Sequence, residues 1–142
     1  MTWFSLFAAF PVVVLFASAG GADSAPQGPT GSAGLDRPFT LKAGTSVSLE
    51  AERLTVAFDR LLSDSRCPKG VNCIVAGEAV VRISLSKAGS AREGRDLQTT
   101  ADGAEATYGA YRIKLVAVDP YPIADRQTAP KDYVVTLLVT RA

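Results

Sequence analysis

The chain has 142 residues with 15 basic and 14 acidic side chains, a net charge of +1, one methionine and no histidine. Without imidazole it cannot assemble a Ser-His-Asp or Cys-His nucleophile pair, or the common histidine-bearing zinc and copper sites. A single Met, the first residue, excludes a methionine-rich Cu(I) site, and the near-neutral balance gives no clustered cations for nucleic acid or anionic lipid.

From Trp3 to Ala19 the sequence is uncharged and rich in Phe, Val, Leu and Ala, and it ends in Ala17-Ser18-Ala19. That pattern predicts a signal peptide over residues 1–19, cleaved after the small-x-small triplet. The competing reading is a retained membrane anchor, for which the run is slightly short and interrupted by Pro11. The expected location is therefore secreted or periplasmic, and the membrane is a partner only if the segment is kept as an anchor. Residues 20–37 are dominated by Gly, Ala, Ser, Pro, Gln and Thr. Such a composition buries too little apolar area to offset ordering entropy, so it reads as a flexible tether.

About 105 residues, 38–142, remain for one domain with one core. Phe39-Thr40-Leu41 and Val47-Ser48-Leu49 alternate around a Lys42-Ala43-Gly44-Thr45 turn, and Leu54, Val56 and Phe58 share a face opposite Thr55, Ala57 and Asp59. Arg60 to Ser65 loses the two-residue period and suggests a brief helical turn. Further on, Val81, Ile83 and Leu85 alternate with Arg82, Ser84 and Ser86, Tyr111, Ile113 and Leu115 with Arg112 and Lys114, and Tyr133, Val135, Leu137 and Val139 with Thr136 and Thr140. Arg95 to Thr100 is expected to pair with Ala104 to Tyr108 across Asp102-Gly103. About seven short alternating strands predict an all-β fold, an antiparallel β-sandwich or a partly closed barrel. The proline-rich stretch from Asp119 to Lys131 is a long loop expected to cover a sheet edge, with a binding role as the alternative.

The only two cysteines, Cys67 and Cys73, are separated by five residues, Pro68 and Gly70 among them. In an exported chain such a pair is a crosslink, and the intervening turn formers let the two Cα atoms reach the roughly 5.5 Å a disulfide needs. Around them, Asp64 is positioned to accept backbone N–H bonds, and Arg66 to pair with Asp64, Asp59 or Glu78. Asp64, Arg66 and Glu78 thus form a candidate polar cluster, read either as a network fixing the bend between two sheets or as a patch that grips a ligand.

Asp64-Ser65-Arg66-Cys67-Pro68, Cys73 and Ala76-Gly77-Glu78-Ala79 resemble the signature of a family of small, exported, mostly uncharacterised bacterial proteins and lipoproteins. That signature runs Asp-Ser-Arg-Cys-Pro, a spacer, Cys, a Trp-containing turn, Gly-x-Ala and a strand. The resemblance extends to Phe39–Gly44 and to the final strand, but Val75 occupies the place of the expected aromatic residue. It implies an extracytoplasmic β-domain and carries no activity with it.

Three functions are compatible with these features. The leading expectation is a non-catalytic binding module, with no cofactor and no metal, whose partner is a protein or glycan of the cell envelope. The second is an envelope-associated structural protein. The third is a carboxylate-based hydrolase drawing on Glu50, Glu52, Asp59, Asp64 and Glu78, since glycosidase chemistry needs no histidine. Asp119, Asp125 and Asp132 hint at calcium but match no EF-hand spacing, and solvated loop charges are the ordinary explanation.

Overall fold

The computed structural model describes residues 33–142. The expected signal peptide and residues 20–32 of the expected tether lie outside them. The described chain folds into eight strands: β1 (Phe39–Lys42), β2 (Thr45–Leu49), β3 (Leu54–Asp64), β4 (Ala79–Lys87), β5 (Glu93–Gln98), β6 (Glu105–Tyr108), β7 (Tyr111–Asp119) and β8 (Val134–Arg141). They form two antiparallel four-stranded sheets, ordered β1-β8-β7-β6 and β2-β3-β4-β5, and no strand pairing closes a barrel. The architecture is a β-sandwich.

Alternation explains the core. Leu54, Val56 and Phe58 of β3 and Val81, Ile83 and Leu85 of β4 are fully buried, and they face Ile113, Val135, Leu137 and Val139 of the opposite sheet. Their polar neighbours in sequence lie on the outer face, as a period of two requires, with Ser84 covered there by its hydrogen bond to Asp59. Ala33 and Leu35, within the stretch expected as tether, pack against this core, and the Asp36 N–H donates to the Val139 carbonyl at 2.9 Å.

The structure corrects two local expectations. Arg60 to Ser65 is not a helical turn: β3 continues to Asp64, with register shifts between Phe58 and Arg60 and between Leu61 and Ser63. Each shift adds a residue against its partner strand and so erases the alternation by which a strand is read. Nor does β5 pair with β6. β5 is the edge partner of β4 and β6 that of β7, and a 3-10 turn at Ala101–Gly103 carries the chain from one sheet to the other. The Lys42–Thr45 turn makes the same kind of crossing: β1 joins β8 while β2 joins β3, with Gly44 at φ 80°.

This topology gathers the two longest connections. β3 and β7 run toward the same end of the sandwich, so the β3–β4 loop with the cysteines and the β7–β8 loop with the prolines emerge side by side.

Candidate functional site

At that end the sequence signature becomes a knot of contacts. Arg66 is 8% exposed, and its Nε and Nη2 donate to the Asp64 carboxylate at 2.8 and 2.6 Å. Its backbone N–H donates to the same carboxylate at 3.2 Å, so Asp64 closes the turn as well as the ion pair. Nη1 donates to the Val118 carbonyl at 2.7 Å and Nη2 to that of Pro120 at 3.2 Å, which ties the end of β3 to the end of β7 in the other sheet. The guanidinium lies 4.9 Å from the centroid of the Tyr121 ring, and the Tyr133 hydroxyl reaches Asp64 at 3.4 Å. The planar fork of arginine suits this duty, since it serves a carboxylate and two carbonyls together.

The electrostatics follow from the contacts. Burial works to raise the Asp64 pKa, but hydrogen bonds from the Arg66 side chain and backbone, the guanidinium charge and the Tyr133 hydroxyl outweigh it, and the carboxyl titrates below its ordinary range. Arg66 is raised by its hydrogen bond to Asp64 against the opposing effect of burial.

Glu78 does not join this cluster. Its side chain accepts from the Thr100 hydroxyl at 3.1 Å, and its backbone clasps Ser65: the Ser65 N–H donates to the Glu78 carbonyl at 2.8 Å, and the Glu78 N–H donates to Ser65 Oγ at 3.0 Å. The two chains come so close that a Cβ on Gly77 would collide with the Ser65 carbonyl. Asp-Ser-Arg and Gly-x-Ala are thus two sides of one close backbone approach, and glycine is the residue that permits it. Asp59 also stands apart from Arg66 and binds Arg92 at 3.0 Å and the Ser84 hydroxyl.

Cys67 and Cys73 form a disulfide with their Cα atoms 5.9 Å apart. The loop it closes is braced from outside. Lys69 donates its N–H to the Pro122 carbonyl at 3.0 Å and accepts from the Ala124 N–H at 3.1 Å, so the proline-rich loop docks on the cysteine loop. Lys69 Nζ lies 5.6 Å from the Tyr121 ring centroid. A cleft of about 280 Å³ beside the junction is lined by Asp64, Pro122, Arg126, Gln127, Thr128 and Tyr133.

The distinctive surface here is apolar. Among the described residues seven large hydrophobics are exposed, and five of them, Val71, Ile74, Val75, Tyr121 and Ile123, sit on these two loops. Sequence reasoning named Val75 only as a departure from the expected aromatic residue and did not single out the other four. The available signal was the apolar pair Ile74-Val75 directly after a crosslinked cysteine, where no strand alternation accounts for it.

The remaining candidate carboxylates are dispersed. Glu52 lies at the opposite end, where it accepts from the Tyr111 hydroxyl at 2.6 Å and from Arg141 Nη2 at 2.9 Å. The Tyr111 hydrogen bond, then that from Arg141, holds its pKa below the usual value. A polar groove of about 400 Å³ at that end is lined by Ser48, Glu50, Arg53, Thr55, Ser86 and Ser90, among others. Among the described residues no group of three or more Asp, Glu, Cys or His side chains is placed to hold a metal ion, and no buried side-chain nitrogen or oxygen lacks a hydrogen-bond partner. No described helix is long and apolar enough to cross a membrane. No family model, curated protein or solved structure matches the chain.

Proposed function

We propose that the protein is an exported, non-catalytic interaction module of the extracytoplasmic space, secreted or periplasmic, and that it recognises its envelope partner with the paired loops at one end of the sandwich. One observation carries this reading: five of the seven exposed large hydrophobics of the described residues lie on those loops. Apolar side chains concentrated on one end mark an interaction surface, whereas isolated ones need no explanation. The disulfide supports an oxidising compartment. The described residues begin beside Val139, in the half of the sandwich that carries Tyr111 and Arg141 and away from the paired loops.

The chemistry of the carboxylates supports a non-catalytic role. A glycosidase needs two carboxyl groups within about 5–10 Å of each other, whereas Asp64 and Glu52 lie at opposite ends of the sandwich, each engaged by its own partners. Within the Asp64-Arg66 cluster every strong donor is engaged by the protein itself, so the cluster braces the loops and the apolar tip makes the contact.

The test compares binding of the full chain to isolated cell envelopes for three proteins: wild type, Ile74→Asp with Val75→Asp, and Val116→Asp, which alters an exposed apolar residue on β7 away from the loops. The double variant loses at least about tenfold in affinity and the control is unaffected. Equal binding by all three sinks the proposal.

A further inference from the structure

Lys69 to Ala76 are eight consecutive exposed residues. At their apex Ile74 is 104% and Val75 77% exposed, so these side chains stand clear of the rest of the domain. A tip of this form suits a soft phase that closes around it. Its charge points the same way. Ser65 to Gly77 contains no carboxylate, and the Arg66 charge is neutralised by Asp64. Among the described residues Lys69 and Arg126 make no ion pair, and Asp125 is the single carboxylate between Pro120 and Pro130. The half-exposed Tyr121 ring lies beside Lys69, with a hydroxyl and an apolar face of the kind that settles at the level of lipid headgroups. The base of the tip is anchored by the disulfide and, at Lys69, by two backbone hydrogen bonds with the neighbouring loop, which limits the freedom lost on insertion.

Resting on the loop end as the recognition surface, we propose that its occupant is the interface of a phospholipid bilayer. Ile74 and Val75 insert among the acyl chains, Tyr121 lies at the headgroups, and Lys69 and Arg126 meet lipid phosphates. Insertion is led by apolar burial over the roughly 5–10 Å that an interfacial element penetrates, and this is compatible with a chain whose net charge is only +1.

The full chain carries one tryptophan, Trp3. Trp3→Phe combined with Val75→Trp therefore moves the sole indole to the tip, at an exposed position where the fold is undisturbed. Its emission is measured with mixed phosphatidylcholine and phosphatidylglycerol vesicles bearing bromine on the acyl chains, and it reports the tip alone even if the apolar N-terminal segment also holds the protein to lipid. The expected result is a blue shift with bromine quenching, and adding Ile74→Asp weakens the quenching by at least about tenfold in lipid concentration. Protein that sediments with the vesicles while its tip emission stays unquenched overturns the bilayer as occupant. If, in that case, Ile74→Asp with Val75→Asp still abolishes binding to cell envelopes, the loop end recognises a protein or glycan and only the lipid assignment falls. If neither assay responds to the tip, the recognition surface itself is wrong.

Discussion

Two residues hold the loop end in place, and each predicts a measurable loss. Asp64 is the counter-ion of a guanidinium that is itself 8% exposed, so Asp64→Ala leaves an uncompensated buried charge. Removing one partner of such a pair costs about 3–5 kcal/mol, a large part of the 5–15 kcal/mol typical of a domain. Urea unfolding of the variant checks this, and a loss below about 1 kcal/mol would remove the bracing role. The same contact fixes a pH dependence. The folded-state pKa of Asp64 is depressed, so its contribution is fully present above the unfolded value near 4 and is lost as the pH falls through the lower folded value. Acid unfolding of wild type is therefore steeper than that of Asp64→Asn below about pH 4. Gly77→Ala destabilises by about 1–3 kcal/mol or more, because its Cβ meets backbone that cannot yield. Gly34→Ala is its control: open space surrounds that position, and its melting temperature stays unchanged or rises slightly.

At the scale of elements, the disulfide and the docked loops decide whether the tip is rigid. A crosslink over six positions restricts the unfolded chain by about 2 kcal/mol on the entropic account. Cys67→Ser with Cys73→Ser lowers stability by that amount, and a reductant titration followed by thermal unfolding reads it directly. Asp64 and Arg66 lie outside the closed ring, so the sandwich persists when the bond is broken and the loss appears first as faster amide exchange at Lys69 and Val71, whose N–H groups are bonded in the loops. The proline-rich loop docks on the cysteine loop. It pairs through Lys69 with the cysteine loop, and its Pro120 carbonyl, with that of Val118 at the end of β7, takes the Arg66 guanidinium. Its prolines suit a connection that presents carbonyls and needs few N–H donors.

At the scale of the whole molecule both sheets share one core, and Phe58 is the bulkiest of its fully buried side chains. Phe58→Ala costs about 3–5 kcal/mol, and near- and far-ultraviolet circular dichroism lose their signals in a single coincident transition, because neither sheet keeps a buried face without the other. Non-coincident curves would mean that the two halves unfold separately. Substitutions at the tip behave in the opposite way. Ile74→Asp leaves stability within about 0.5 kcal/mol, since its side chain is already in water. On the proposed reading stability and recognition are separable: the core and the Asp64-Arg66 knot carry the first, and the exposed loops would carry the second.

Much of this was legible along the chain. Period-two alternation identified the buried faces of β3, β4, β7 and β8, because burial on one side of a strand is a local property. The expected export and the cysteine spacing pointed to the disulfide, because a short closed ring depends on only a few residues. What the tertiary structure alone decided was which strands pair, where β3 ends, and which charges meet. β5 and β6 are neighbours in sequence yet belong to different sheets, since each finds its hydrogen-bonding partner across a crossing that no local pattern encodes. Glu78, in the signature beside Ala79, reaches Thr100 and leaves Arg66 to carbonyls more than fifty residues away. The apolar loop end exists because two connections distant in sequence emerge at one end of a sandwich, and exposure, unlike alternation, is a property of the packed whole.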